Sequence, residues 1–442
     1  MDSYEQYSIF DLMYQKYKIT KPIRLIELFA GYGSQALALK YLNVDFQYWK
    51  ICEWAIKSIQ AYKDIHFSND NKDYSVNLNK DELISYLLNK GISSNYNNPM
   101  NESQIKRLNE KMLRTIYNNI MATNNLVNKQ QAKGEDLEIL DNNYTYLLTY
   151  SFPCQDLSLA GKGQGMEDTT TRSGMLWEVE RILKECDKKP DILLMENVPQ
   201  VHGIDNMDAF NRWQLSLESM GYQNYFEDLS ATDFGIPQTR IRCFMISILG
   251  DYNYKFPKKQ PLKVKLKDLE ENNVSDKYFL SEKMLNCFLK EQVGGYPRKE
   301  RFYQSLNRVQ ENDIANTITT NEGNRDISTF LMIKNATKKG YLEATVGDGV
   351  DISSRMQYHR GTVQKGKSQT LTTQSNVGIV VIDNFGEVKI RRLTPKECFR
   401  LMGVKDEDFD LVKNNQSESS LYHLAGDSIV VNVLMAIFKQ LT

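Results

Sequence analysis

A cysteine follows an apolar segment in a sequence that predicts a sharp turn. The predicted strand 146–150 is followed by S-F-P-C-Q, in which Cys154 lies between Pro153 and Gln155. Open α/β sheets bind ligands outside the carboxyl ends of their strands, and a thiol placed there becomes a nucleophile when its pKa is lowered. Most cysteines are buried and unreactive, but the flanking proline and glutamine favour an exposed turn. Cys154 is therefore a candidate nucleophile.

A glutamate and two arginines stand beside two other predicted strands. Glu196 follows the apolar run 192–195, where burial would raise its pKa and suit it to donate a proton. The alternative is a loop or capping glutamate. Arg240 and Arg242 precede the predicted strand 243–249 at alternate positions. On an extended segment both would point to one face and suit an anion such as phosphate, unless they are solvated surface arginines.

A glycine-rich turn joins the first predicted strand to the first predicted helix. The sequence F-A-G-Y-G occupies residues 29–33, and Glu53 ends the next predicted strand, 20 residues after Gly33. Such a turn lets a ligand approach the backbone, and such a carboxylate can accept both hydroxyls of a ribose. The third glycine of a dinucleotide fingerprint is absent, so a tight turn with a solvent-facing glutamate is an equal alternative.

The elements that must position these residues alternate along the chain. Apolar strand patterns occupy 23–29, 46–52, 146–150, 191–195 and 243–249. Helical patterns occupy 35–40, 176–184 and 210–220, and an amphipathic helix is predicted over 427–441. This alternation predicts an α/β protein with a mostly parallel sheet. An Asn- and Lys-rich helical insertion at about 67–133 interrupts it, with helical patterns at 82–88 and 104–126.

Composition restricts the class of protein further. The 442 residues are 41% hydrophobic and 25% charged with a net charge of -1, which is typical of a soluble protein of two to three domains. No apolar run approaches the roughly 18 residues that span a bilayer, and no secretory signal opens the chain, so we expect a cytoplasmic protein without a membrane partner. Six scattered cysteines and four histidines predict no metal site.

Charge is unevenly distributed along the chain. Residues 251–392 hold 24 Lys and Arg against 17 Asp and Glu, whereas the chain as a whole holds 55 against 56. A basic block beside an acidic one hints at contact with a polyanion. A solvated basic surface is an equal alternative.

Seven segments, taken in order, resemble the motifs of the DNA cytosine-5 methyltransferases of bacterial or phage type, close to the subgroup that includes CpG-methylating enzymes. They are FAGYG, EW, SFPCQDLS, ENV, QTRIR, RRLTPKECFRLMG and GDSIVVNVL, within 22–66, 133–256 and 388–442. The resemblance implies a Rossmann-like S-adenosylmethionine-dependent methyltransferase domain at 1–256. It also implies a smaller, irregular β-rich target-recognition domain at 257–387 and a C-terminal segment at 388–442 that returns to the first domain.

The resemblance also implies roles for individual residues. Cys154 would attack carbon 6 of a cytosine flipped out of duplex DNA, and Glu196 would favour protonation of ring nitrogen 3. Arg240 and Arg242 would hold the flipped nucleotide and the nearby backbone. Glu53 would take the ribose of S-adenosyl-L-methionine, Trp54 would lie against its adenine and Asp136 would face the adenine amino group. The full cofactor site would comprise Phe29, Ala30, Gly31, Gly33, Ser34, Glu53, Trp54, Asp136, Leu137, Pro153, Asp427 and Ser428.

Two positions depart from the family pattern. Ser34 stands where a second glycine usually follows G-x-G, and Asp427 replaces the asparagine of the usual G-N-S, adding a charge near the cofactor. An active enzyme of restriction–modification, phage self-protection or orphan methylation is the main hypothesis. A catalytically silent DNA-binding relative and a transfer-RNA cytosine-5 methyltransferase are the alternatives.

The expected partners follow from the main hypothesis. We expect a monomer that binds double-stranded DNA, holds no metal, and can be accompanied by a cognate restriction endonuclease. Within 257–387, side chains near Thr317 and Thr370 are predicted to reach base edges. Lys365 and Lys367 are predicted to contact phosphates, because flexible ammonium groups suit such contacts.

Overall fold

The computed structural model describes residues 15–152, 175–289, 331–353, 361–374, 376–383 and 388–442. Its strands are β1 (Gln15–Lys16), β2 (Ile23–Leu28), β3 (Phe46–Cys52), β4 (Thr145–Tyr150), β5 (Ile192–Asn197), β6 (Tyr222–Ser230), β7 (Gln238–Thr239), β8 (Ile241–Leu249), β9 (Tyr252–Asn253), β10 (Leu331–Lys334), β11 (Tyr341–Ala344), β12 (Gly349–Asp351), β13 (Val363–Gln364), β14 (Ser368–Gln369), β15 (Val377–Ile382) and β16 (Val388–Arg392).

Its α-helices are α1 (Ser34–Tyr41), α2 (Ile56–His66), α3 (Lys80–Lys90), α4 (Glu102–Lys106), α5 (Glu110–Ala122), α6 (Met175–Glu185), α7 (Met207–Ser219), α8 (Glu282–Phe288), α9 (Pro395–Leu401), α10 (Asp406–Val412), α11 (Glu418–Gly426) and α12 (Val431–Leu441). Short 3₁₀ helices occupy Gly134–Leu137, Pro199–His202, Ile204–Asn206, Ala231–Phe234, Leu266–Leu269 and Asp276–Tyr278.

A six-stranded sheet lies at the centre of the first part of the chain, in the order β3-β2-β4-β5-β8-β6. The pairs β2–β3, β2–β4 and β4–β5 are parallel, and β8 runs antiparallel to both of its neighbours. Every residue of β4 and β5 is buried, as expected for strands that are covered on both faces. The predicted α/β fold with a mostly parallel sheet is confirmed.

Two apolar cores lie on this sheet. One includes residues of α1 and of the C-terminal helices, among them Val431 and Leu434. The other includes residues of α6 and α7, among them Leu176 and Trp213. Because α12 packs against α1, the end of the chain folds back onto the first strand–helix unit.

The last predicted helix differs from the observed one. The prediction of one helix over 427–441 is wrong at its start, because α11 ends at Gly426 and residues 427–430 separate it from α12. Asp427 therefore stands in a turn rather than in the final helix. The stretch Glu418–Leu441 is apolar and long enough, by composition, to cross a membrane, but 72% of its apolar window is buried inside the protein.

The helices between β3 and β4 form a core of their own together with α2. This core includes Ile59 of α2 and Leu83, Leu113 and Ile116 of the inserted helices. Asparagine side chains begin all three inserted helices, since Asn79, Asn101 and Asn109 each accept a hydrogen bond from a backbone N–H of the first turn. The pattern predicted as one helix over 104–126 is therefore two helices, because Asn109 starts α5 anew.

The strands after residue 331 form a smaller β unit. A hairpin joins β10 to β11, and an antiparallel sheet has the order β13-β12-β15-β16. Its core contains Leu331, Ile333, Val350, Val380 and Ile390. A parallel ladder between β14 and β7 connects this unit to the segment that precedes β8, so the β unit lies against the part of the chain that carries the two candidate arginines.

Candidate functional site

The segment that contains the candidate nucleophile follows the carboxyl end of β4 in the sequence. Pro153 and Cys154 lie outside the described residues, so their roles stay predictions. The residue before them, Phe152, is buried, and its carbonyl accepts a hydrogen bond of 3.0 Å from Asn197 Nδ2. Asn197 ends β5 directly after Glu196, and β5 pairs with β4. Phe152, two residues before Cys154, therefore lies beside the end of β5 that carries Glu196.

Glu196 is buried at the carboxyl end of β5 and faces two arginines. Arg242 Nε lies 3.1 Å from Glu196 Oε1. Burial raises the pKa of the Glu196 carboxyl, and the positive charges of Arg242 and Arg240 act against this rise. A buried carboxyl with a raised pKa can hold a proton and donate it. Glu196 thus has the setting that the sequence predicts for a proton donor.

Arg240 has a different setting from the one expected for a nucleotide ligand. Its guanidinium is buried and donates to the backbone carbonyls of Leu371, Gly426 and Ser428, at 3.2, 3.2 and 2.8 Å. These carbonyls belong to the segment after β14 and to the turn after α11. Arg240 therefore ties its own segment to two segments that are distant in sequence, which favours a positioning role; its contact with a flipped nucleotide stays a prediction.

The Arg240→Met variant should be less stable than the native protein by about 1–3 kcal/mol, because removing the donor leaves buried carbonyls without a partner. Urea unfolding of the two proteins measures this difference. Arg107→Met is the matched control, since Arg107 is exposed on the insertion and its replacement should leave stability unchanged. Equal unfolding midpoints for Arg240→Met and Arg107→Met would contradict the positioning role.

The glycine turn after β2 is shaped by close packing on one side and by open space on the other. Phe29, Gly31 and Gly33 have φ angles of 64°, 57° and 83°. A Cβ on Gly33 would lie 2.3 Å from His66 Nε2, whereas a Cβ on Gly31 would meet nothing within 4 Å. Gly31 therefore borders a space that a ligand can enter. Ser34, in place of the usual glycine, is buried as the first residue of α1.

Glu53 connects this turn to the end of β3. Its Oε2 accepts a hydrogen bond of 3.0 Å from Gly31 N, and its Oε1 accepts one of 2.8 Å from Ala55 N. Asn125 of the insertion holds the backbone of Glu53, donating to its carbonyl at 2.9 Å and accepting from its N–H at 3.1 Å. Burial raises the pKa of Glu53 to about 7. The carboxylate is thus fixed beside Gly31, where it can accept ribose hydroxyls.

Two aromatic rings border the same cleft. The ammonium of Lys129 lies 3.9 Å from the ring centroid of Phe29 and 5.8 Å from that of Trp54. Because one group reaches both rings, the predicted adenine neighbour Trp54 and the glycine-turn residue Phe29 line one space. Ala30, between Phe29 and Gly31, is buried.

Asp136 and Leu137 lie at the end of the insertion, beside β3. Leu137 is buried, and its carbonyl accepts a hydrogen bond of 2.9 Å from Trp49 Nε1. Asp136 Oδ2 accepts one of 2.8 Å from Lys133 N, which fixes the carboxyl at the start of its 3₁₀ helix. The contact of Asp136 with an adenine amino group stays a prediction.

Asp427 brings a third carboxyl to the site. Its charge acts on both Glu53 and Glu196, and Arg240 and Arg242 act on it. Its side chain is accessible to solvent, yet the surrounding protein removes enough hydration to raise the pKa of Asp427 to about 6, against the two arginines. Asp427 therefore links the cofactor side of the cleft to the Glu196 side, where the usual asparagine would carry no charge.

Gly426 and Ser428 flank that aspartate and anchor its turn. A Cβ on Gly426 would lie 2.1 Å from the carbonyl oxygen of Thr372, so only glycine allows this approach. The carbonyl of Ser428 accepts a hydrogen bond from Arg240. The turn at 426–428 is thus held between the segment after β14 and Arg240.

Two residues predicted to contact DNA have partners within the protein. Thr370 Oγ1 donates to the carbonyl of Thr239 at 2.7 Å, and Lys365 Nζ lies 2.8 Å from Oδ2 of the buried Asp348. These contacts favour structural roles for Thr370 and Lys365 over the predicted contacts with bases and phosphates. Thr317 lies outside the described residues, and the phosphate contact of Lys367 stays a prediction.

Comparison with known proteins defines the class of this site. Residues 78–442 match the family model for C-5 cytosine-specific DNA methylases. The match spans most of the chain, and the chain belongs to this family. It is therefore an S-adenosylmethionine-dependent DNA cytosine-5 methyltransferase, as the resemblance of its motifs predicts.

Individual relatives agree with this assignment. The type II methyltransferase M2.ScrFI of Lactococcus lactis subsp. cremoris is 34% identical over 95% of this chain and 99% of its own length. The orphan methyltransferase M.SssI of Spiroplasma monobiae is 38% identical over 59% of this chain and 68% of its own length. The structure of the Entamoeba histolytica methyltransferase EhMeth has the same fold, with a TM-score of 0.56 at 14% identity over 95% of this chain and 98% of that one.

Proposed function

We propose that this enzyme methylates a cytosine flipped out of duplex DNA through a covalent bond between Cys154 and carbon 6 of the base. The observation that carries the proposal is the Glu196–Arg242 pair, which lies at the carboxyl end of β5 beside Phe152, two residues before Cys154 in the sequence. This pair supports a proton donor close to the nucleophile. Base flipping is needed because the reacting atoms of cytosine lie inside the stack.

The chain's residues supply the acid–base and nucleophilic parts of the reaction. The Cys154 thiolate adds to carbon 6 while Glu196 gives a proton to ring nitrogen 3, so that carbon 5 becomes nucleophilic. Arg242 holds the Glu196 carboxyl and balances the negative charge left when the proton departs. S-adenosylmethionine, when bound, supplies the methyl group to carbon 5 from its sulfonium. A base then removes the proton on carbon 5, the Cys154 sulfur leaves carbon 6 as a thiolate, and ring nitrogen 3 returns its proton to Glu196.

The cofactor would lie in the cleft bordered by Phe29, Gly31, Glu53 and Trp54. Open space beside Gly31 and the fixed, buried carboxylate of Glu53 fit a ribose, and the rings of Phe29 and Trp54 fit an adenine. Asp427 and Ser428 would close the cleft from the C-terminal side.

The Trp54→Ala variant should bind S-adenosylmethionine on the order of tenfold more weakly, because stacking on one aromatic ring contributes about 1–3 kcal/mol. Calorimetric titration of the DNA-free protein measures the dissociation constant. Phe226→Ala is the control, since Phe226 is exposed on β6 at the far edge of the sheet. Native affinity in Trp54→Ala would show that this cleft is not the adenine site.

Residues 257–387 would provide DNA affinity and sequence choice. The excess of basic residues in 251–392 supports this, and so does the parallel ladder between β14 and β7, the strand that directly precedes Arg240. Basic residues that neutralise phosphates release counterions, so affinity for DNA should fall steeply as the salt concentration rises.

Transfer of labelled methyl groups to duplex DNA and to transfer RNA tests the substrate. We expect label in DNA alone, with bisulfite sequencing of that DNA then reporting which cytosines are modified. Label in transfer RNA alone would support the transfer-RNA alternative, and label in neither would support a catalytically silent relative.

A further inference from the structure

The insertion between β3 and β4 forms hydrogen bonds with backbone groups of residues that border the cofactor cleft. Asn125 holds both backbone groups of Glu53. Ser93 N donates to the carbonyl of Trp54 at 2.8 Å, and Ile56 N donates to the carbonyl of Ser93 at 2.9 Å. Glu53, Trp54 and Ile56 thus each form backbone hydrogen bonds with residues of the insertion. The insertion is therefore positioned to act on cofactor binding.

One side chain of the insertion enters the cleft itself. The Lys129 ammonium lies 3.9 Å from the Phe29 ring centroid and 5.8 Å from that of Trp54. It also interacts electrostatically with Glu53, whose pKa it helps to lower against the effect of burial. Lys129 therefore lies at the same two rings, and within electrostatic range of the same carboxylate, that the cofactor's adenine and ribose would use.

The backbone of Lys129 is held in place, whereas its side chain is long and has several rotatable bonds. Arg181 Nη2 of α6 donates to the carbonyls of Lys129 and Ala132, at 3.0 and 2.9 Å. Ion pairs with Glu178 and Glu185 hold Arg181 in turn. The ammonium can therefore leave the cleft by rotation of its four-carbon stem, without movement of the insertion.

We propose that Lys129 is a resident cation of the cofactor cleft, which occupies the space between Phe29 and Trp54 and must be displaced by the nucleoside of S-adenosylmethionine. The proposal rests on the proposed cofactor site. Cation–π contacts with the two rings and the attraction to Glu53 stabilise the ammonium in the cleft. Binding of the cofactor has to replace these interactions. Lys129 then lowers cofactor affinity, and the inserted segment that carries it is a built-in competitor for the site.

Two substitutions at Lys129 should change affinity in opposite directions. Lys129→Ala should bind S-adenosylmethionine about 2- to 30-fold more tightly, the range expected if one cation–π contact no longer has to be broken. Lys129→Arg should bind it more weakly, because a guanidinium stacks on aromatic rings more extensively and keeps its charge. S-adenosylhomocysteine should show the same changes, since it shares the nucleoside.

Calorimetric titration of the DNA-free variants measures these dissociation constants without any catalysis. Lys133→Ala is the matched control, because Lys133 lies in the same segment with a side chain that is 66% exposed, and its affinity should equal the native value. Unchanged or weaker binding by Lys129→Ala would overturn the proposal, since Lys129 would then be neutral or a cofactor contact.

The Trp54→Ala variant, titrated in parallel, separates the two proposals. If Trp54→Ala loses affinity while Lys129→Ala gains none, the cofactor site stands and only the role of Lys129 is wrong. If Trp54→Ala keeps the native affinity, the cleft is not the adenine site and both proposals fail.

Discussion

The Cys154→Ala variant should transfer no methyl groups to DNA and should still bind S-adenosylmethionine. The thiolate of Cys154 forms the only covalent bond between the proposed enzyme and the base, and without it carbon 5 does not become nucleophilic. The cofactor cleft is formed by other residues, among them Phe29, Glu53 and Trp54. Labelled methyl transfer and calorimetric titration of the same preparation measure the two properties.

The covalent bond to Cys154 can be trapped with 5-fluorocytosine. Duplex DNA in which 5-fluorocytosine replaces cytosine throughout contains the target whatever the recognition sequence is. Fluorine on carbon 5 blocks the final elimination, so the native protein should remain attached to the DNA on a denaturing gel. Cys186→Ala is the matched control, because Cys186 is buried in the core under α6 and burial raises its pKa to about 11. An adduct in Cys154→Ala would exclude Cys154 as the nucleophile.

The Glu196→Gln variant should methylate DNA about 10²- to 10⁴-fold more slowly, which is the usual contribution of a positioned general acid. Glutamine has nearly the same shape but has no acidic proton to give to ring nitrogen 3. The pairing with Arg242 and the burial at the end of β5 give the native carboxyl its raised pKa. Single-turnover methyl transfer measures the rate of the chemical step directly.

The Glu196→Gln variant should keep the native fold and the native affinity for the cofactor. Thermal unfolding should show that Glu196→Gln is folded, and its affinity for S-adenosylmethionine should stay native. Glu180→Gln is the control, since Glu180 pairs with Lys184 on the outer turn of α6 and has no proposed catalytic role. If the rate of Glu196→Gln lies within a factor of about two of the control, Glu196 is not a general acid that contributes about 10²- to 10⁴-fold.

The sequence by itself determined the central strands and the residues that end them. Apolar runs bounded by glycine, proline or polar residues are local patterns, and β2, β3, β4, β5 and β8 begin and end within two residues of their predicted bounds. Glu53 and Glu196 could be predicted as site residues because each ends such a run. The capping of α9 is local in the same way, since the Thr394 side chain accepts from the Glu397 N–H and the Glu397 side chain accepts from the Thr394 N–H.

Other elements have no local signature. The strand β6 is not predicted by its sequence, because Tyr222–Ser230 contains polar residues on both faces and most of its side chains are only half-buried. It is a strand because it pairs along its whole length with β8. The end of α11 before Asp427 likewise coincides with a tertiary contact, the close approach of Thr372 to Gly426.

Only the tertiary structure decided what the charged residues of the site contact. Arg240 and Arg242 are two residues apart, yet one donates to carbonyls more than 130 residues away and the other pairs with Glu196. Lys129 has no motif, and its place between Phe29 and Trp54 follows from how the insertion folds onto β3. The physical reason is that a long charged side chain takes whichever partner folding brings within a few ångströms, and sequence spacing does not encode that partner.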